Sequence, residues 1–125
     1  MTLYSLKNIK KSFNGRTVLD ISDLDIQPGN IYTLSGTNGA GKTTFLNILS
    51  FLLMPSSGQL EHRNIPVKFN ETYLQQLRKS VILVNQHPIL FSTSVYKNIE
   101  FGLKVRRIPH QKRKRIIESA LDMVD

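Results

Sequence analysis

Residues Gly36-Thr37-Asn38-Gly39-Ala40-Gly41-Lys42-Thr43 fit the spacing G-x-x-x-x-G-K-[ST] in full. Few octapeptides restrict a fold so tightly. The glycines let the backbone turn sharply and present successive N–H groups to one cluster of oxyanions. A helix that opens at the end of the loop adds the partial positive charge of its N-terminus. The Lys42 ammonium can reach the outer phosphate oxygens of a nucleotide, and the Thr43 hydroxyl can ligate Mg²⁺. The pattern requires a strand before it and a helix after it. Ile31-Tyr32-Thr33-Leu34-Ser35 is β-branched and aromatic and reads as a short buried strand. Thr43 to Leu53 reads as a helix. Its apolar residues Phe45, Leu46, Ile48, Leu49, Leu52 and Leu53 crowd most faces, so it is expected to be buried.

Other elements are legible around this centre. Leu3 to Ile9 has the apolar alternation of a strand, but not a clean one. Phe13-Asn14-Gly15 reads as a turn, and Val18 to Ile26 as a second strand carrying Leu19, Ile21, Leu24 and Ile26. Pro28-Gly29 breaks the chain, and Pro55-Ser56-Ser57-Gly58 ends the helix. Residues 59 to 70 read as an irregular or hairpin segment around Pro66. Thr72 to Lys79 reads as a short helix, and Val81-Ile82-Leu83-Val84 as another buried strand. From His110 the pattern is helical, with Ile116, Ile117, Ala120, Leu121 and Val124 on one face and Pro109 near the first turn.

Composition removes several alternatives. With 125 residues, 40% of them apolar, the chain has the make-up of about one globular domain. No apolar run approaches the roughly 20 residues of a membrane span, and no signal peptide is visible. Zero cysteines exclude a disulfide framework and thiolate chemistry. These features fit a cytoplasmic protein. The net charge of +8 misleads if taken globally. Seven basic residues lie between Lys104 and Arg115 with no acid among them, which leaves the rest of the chain at +1. This segment reads first as a solvated face, then as a membrane or partner contact, and least as a nucleic-acid site. His62, His87 and His110 are isolated and read as surface or loop residues. Glu61, Glu71 and Glu100 read as solvated.

Asn38 to Thr44, the apolar helix and Pro55-Ser56-Ser57-Gly58 together resemble the nucleotide-binding domain of ATP-binding cassette (ABC) ATPases. Phe13, in Lys11-Ser12-Phe13-Asn14-Gly15 upstream of the loop, matches the aromatic residue that stacks on adenine there. By itself it reads as a core or turn aromatic. Gln86 ends Val81-Ile82-Leu83-Val84-Asn85-Gln86, followed by Leu90-Phe91, Ser94-Val95 and Asn98-Ile99. It resembles the family's Q-loop glutamine, which contacts Mg²⁺ and the attacking water. Val18 lies beside the base or in the core.

The resemblance runs along essentially all of residues 1–125. It implies an α/β fold with an ABC-type P-loop core, an N-terminal antiparallel β region and the start of a helical subdomain. It implies ATP and Mg²⁺ as ligands, with Phe13, Val18, Gly36, Thr37, Asn38, Gly39, Ala40, Gly41, Lys42, Thr43 and Thr44 around the nucleotide. Lys42 and Gln86 would serve catalysis, and Thr43 and Gln86 the metal. The implied partners are a second nucleotide-binding subunit and an integral membrane permease, with no nucleic acid. The implied location is the inner face of the cell membrane.

The family's Leu-Ser-Gly-Gly-Gln-like signature, its second acidic motif and its switch histidine do not occur in these residues. The chain is therefore expected to be the N-terminal part of a longer domain, inactive in hydrolysis by itself and with uncovered sheet edges. The expected function is the ATP-binding subunit of a transporter, an importer before an exporter. The alternatives are a soluble ABC-type ATPase in DNA repair or translation, or a non-hydrolysing nucleotide-binding fragment.

Overall fold

The first strand explains its own imperfect alternation. In the computed structural model, which describes residues 1–124, β1 spans Tyr4–Phe13. Tyr4 and Leu6 point into the core, yet the next core residue is Ile9, not residue 8. Asn8 takes φ 52°, and the pairing register shifts between Lys7 and Lys10. One extra residue in the strand flips the inward face, which is the defining effect of a bulge. β1 pairs antiparallel with β2 (Arg16–Ile26) through a two-residue turn. Asn14 and Gly15 both have positive φ, as a primed hairpin turn requires. Both strands run further than the sequence indicates.

The other edge of β1 carries β3 (Ser57–His62), which turns at Arg63-Asn64 into β4 (Ile65–Pro66). Among the described residues the strands form one antiparallel sheet in the order β2-β1-β3-β4. Gly58 faces the bulge with φ 97°, and any Cβ there would collide with the Asn8 carbonyl and the Ile9 Cα. Only glycine fits.

Two helices accompany the sheet. α1 spans Lys42–Leu49 and α2 spans Glu71–Leu77, capped by the Asn70 side chain accepting from Tyr73 N–H at 2.9 Å. Phe45, Ile48, Phe51 and Leu74 join Tyr4, Leu6, Ile9 and Leu60 in one core. Each such burial contributes about 1.5–3 kcal/mol. α1 stops before Leu53, because Phe51 adopts the left-handed region at φ 60°. It is not buried all round either: Leu46 is exposed, as is Leu52 beyond its end.

The two expected buried strands are absent. Residues 31–35 and 81–84 form no ladder, and Ile31, Ile82 and Val84 lie in solvent. β structure needs a neighbour for its N–H and C=O groups. No described strand pairs with either segment.

The chain divides into two compact units, Met1–Leu83 and Val84–Asp125, each described by itself. The second holds α3 (Val95–Val105) and α4 (His110–Asp122). The sequence reading did not anticipate α3. It is capped by Ser94, whose hydroxyl accepts from Lys97 N–H, whereas Pro109 precedes α4 without a side-chain cap. Ile117 is fully buried, whereas Ile116 and Val124 are exposed, so the inward stripe of α4 is narrower than the sequence pattern. Glu100 is a correction. It is buried, with Lys104 Nζ at 2.9 Å and Arg113 Nε at 3.3 Å. Arg113 also donates to the Ile108 carbonyl at 2.9 Å, so part of the basic segment is internal structure and not a solvated face. His62 is also buried, its ring tilted against Tyr4 at 4.9 Å between centres and edge-on to Phe51 at 5.4 Å. No helix among the described residues is long and apolar enough to cross a membrane.

Candidate functional site

The glycine loop lies in the first unit and runs directly into α1. Gly39 and Gly41 take φ 83° and 86°, which a side chain would resist. The loop closes on itself through Ala40 N–H to the Thr37 carbonyl at 3.2 Å, and Phe45 N–H to the Gly41 carbonyl at 2.8 Å starts the helix. Gly36, Thr37, Asn38, Gly39 and Ala40 are all exposed. Lys42 folds back over them: its Nζ donates to the Gly36 carbonyl at 2.7 Å and to the Thr37 carbonyl at 2.6 Å. A full positive charge is thus held over the loop, at the positive end of α1. Thr43 is exposed on the first turn, and Thr44 is half-buried behind it.

The loop rests against β2. A Cβ at Gly41 would strike the Val18 carbonyl, so the third glycine permits a close approach between loop and strand. This brings Val18 to the site through its backbone. A cavity of about 200 Å³ lies between β2 and the loop, lined by Leu19, Ile21, Leu24, Leu34, Gly41 and Phe45. Its apolar wall backs the loop. Phe13 ends β1 at the hairpin and is 46% exposed, with Lys11 Nζ 5.0 Å from the ring centre. Its ring is therefore not a core residue and has a free surface for stacking. Gln86 belongs to the second unit, where it is exposed in a bend before α3.

The far end of α1 is tied down by residues that the sequence reading passed over. Tyr4 Oη donates to the Leu49 carbonyl at 2.9 Å, and burial pushes its phenol up to about 12, so it remains a donor. Lys11 Nζ donates to the Met54 carbonyl at 2.9 Å. Arg78 donates to the Phe51 carbonyl. These partners lie tens of residues apart in sequence, and no local pattern signals them.

Thr43, exposed on the first turn of α1, offers a hydroxyl oxygen of the kind that Mg²⁺ takes. Among the described residues no group of three or more His, Cys, Asp or Glu could hold an ion. The available oxygens are neutral, the Thr43 hydroxyl above all. Mg²⁺ suits that set, because it keeps waters and is bound largely through substrate phosphates.

Known proteins are similar to this chain in sequence and in fold. The family model described as ABC transporter matches residues 19–125. The Fe(3+) ions import ATP-binding protein FbpC of Vibrio cholerae is 37% identical over 121 residues, covering 96% of this chain and 33% of that protein. The methionine import ATP-binding protein MetN 2 of Enterococcus faecalis is 34% identical, covering 99% of this chain and 38% of that protein. The solved structure of cbiO1 from Clostridium perfringens, part of the ABC transporter complex cbiONQ, superposes with a TM-score of 0.81 at 27% identity. That match covers 97% of this chain and 49% of the other. The chain spans about a third of the length of the curated relatives it matches.

Proposed function

The chain belongs to the ABC transporter family, and from that premise we propose that it holds ATP as part of the ATP-binding subunit of an importer. The observation that carries the proposal is the loop from Gly36 to Thr43, with Lys42 poised over it at the head of α1. The relatives named for Fe³⁺ and methionine import support the direction of transport.

The residues divide the work. The backbone of Gly36 to Gly41 surrounds the phosphates, and the N-terminus of α1 favours their negative charge. Lys42 exchanges two neutral carbonyl acceptors for anionic phosphate oxygens, which adds charge–charge attraction to hydrogen bonds that its ammonium already strengthens. Phe13 offers its exposed ring to adenine, and Val18 packs beside the base. Thr44 supports the loop from the third position of α1. Thr43 would offer its hydroxyl to Mg²⁺, and the family resemblance assigns Gln86 to the same metal and to the attacking water. The metal, when bound, supplies charge neutralisation between the outer phosphates.

Hydrolysis and transport belong, in this reading, to the whole protein. A second nucleotide-binding subunit and an integral membrane permease complete it, and the subunit sits peripherally on the inner face of the membrane. The membership of cbiO1 in a transporter complex supports such partners. Residues 1–125 form the N-terminal part of the nucleotide-binding domain.

Displacement of a fluorescent ATP analogue tests the proposal. ATP and ADP should displace it, and AMP should not, because the loop grips the outer phosphates. Equal displacement by AMP would remove the phosphate loop from the binding site.

A further inference from the structure

Helix α1 opens with Lys42 and Thr43, so the position of α1 sets the position of both groups. Its other end is closed in an uncommon way. Ser50 is the C-cap, and Phe51 follows at φ 60°. Phe51 N–H donates to the Ile48 carbonyl at 3.0 Å, and Leu52 N–H to the Asn47 carbonyl at 2.9 Å. These are the two bonds of a Schellman closure, whose left-handed position is usually glycine. A bulky residue there is strained and persists only where its surroundings hold it.

Two features hold Phe51. Its ring is fully buried beside Tyr4 and His62. Its carbonyl accepts from both Nε and Nη2 of Arg78, at 2.9 and 2.7 Å. The same guanidinium donates through Nη1 to Glu71 Oε1 at 2.7 Å, and Glu71 is the first residue of α2. One planar cation therefore joins the exit of α1 to the start of α2. Lysine, a point donor, cannot reproduce the fork. A cation at this end also complements the dipole of α1.

We propose that Arg78 is a positioning residue for the phosphate loop: its fork on the Phe51 carbonyl fixes α1 along and about its axis, and so places Lys42 and Thr43. α1 has only 8 residues, so a shift at one end is transmitted to the other. Without the fork the Phe51 carbonyl loses its partner, and the strained turn has less to hold it. The ATP-affinity part of the test rests on the proposed nucleotide reading; the exchange part does not.

The test compares wild type with Arg78→Ala, Arg78→Lys and the mild core variant Ile9→Val, well below their melting temperatures. Amide exchange at residues 42–46 without ligand and ATP affinity by calorimetry are the two readouts. Arg78→Ala should speed exchange and weaken ATP binding, each by about tenfold. Arg78→Lys should recover part of both losses, and Ile9→Val should lower the melting temperature with neither readout moved. An Arg78→Ala protein that resembles Ile9→Val in both readouts overturns the proposal. If Arg78→Ala does not fold, Arg78→Lys decides alone: wild-type exchange and affinity overturn it, and a loss in both supports it. Faster exchange in Arg78→Ala, with a wild type that does not bind ATP, sinks the nucleotide reading and leaves the positioning role standing.

Discussion

Single residues carry most of the account, and each can be questioned separately. Phe13 is half-exposed at the end of β1, with the Lys11 ammonium over its ring. Phe13→Ala should weaken ATP binding by about fivefold, the lower end of the roughly 1–3 kcal/mol of a base–aromatic stack. Binding of inorganic triphosphate should not change; an equal loss for both would place Phe13 outside the adenine site. Gly58 is constrained by the bulge at Asn8. Gly58→Ala should cost about 3 kcal/mol in chemical denaturation, since it adds a collision to a left-handed φ. His62 has the clearest pH signature. Burial first, and the neighbouring Arg63 charge second, hold its imidazole below the ordinary value of 6.5. The unfolded chain therefore binds a proton more readily than the folded one. His62's contribution is complete above pH 6.5 and is lost as the pH falls through the window between that value and the lower folded one. Thermal melts should show this decline in wild type and not in His62→Gln. None of this was visible locally: His62 reads as an ordinary polar residue until the sheet brings Tyr4 and Phe51 to it.

Elements differ in how much of them a sequence discloses. Helix α1 and the glycine loop were legible because their constraints are local: a fixed spacing, positive φ at glycines and a following apolar periodicity. The β1–β2 hairpin was legible through Asn14-Gly15. The segments at 31–35 and 81–84 have strand composition, yet composition does not supply the hydrogen-bonding neighbour a strand needs. α3 was missed although its apolar residues keep a helical period, because Gly102 sits within it and its cap at Ser94 is a single hydroxyl. Its partnership with α4 rests on Glu100, which no local pattern marks. The Lys104 hydrogen bond, first, and the Lys104, Arg113 and His110 charges hold the Glu100 carboxyl below its ordinary 4.5, against the effect of burial. That stabilisation is present above pH 4.5 and disappears as the pH falls through the lower folded value. Helical circular dichroism should accordingly decline in acid, and Glu100→Gln should show the loosened helix pair already at neutral pH. A helix signal unchanged in Glu100→Gln would reduce this ion pair to decoration.

At the scale of the whole molecule, two observations stand together: a formed phosphate loop and apolar surface that the described residues do not cover. Ile31, Ile82, Val84, Ile89 and Leu90 are all largely exposed. Such surface promotes association. Sedimentation should show concentration-dependent self-association of the 125-residue chain, reduced by Ile82→Lys. The central claim is that the loop from Gly36 to Thr43 binds the phosphates of ATP with Lys42 as its cation. Calorimetric titration of the purified protein with ATP and Mg²⁺, beside Lys42→Ala, tests it directly. The account predicts binding in wild type and its loss, or a weakening of at least about a hundredfold, in the variant. Equal ATP affinity in the two proteins would contradict it.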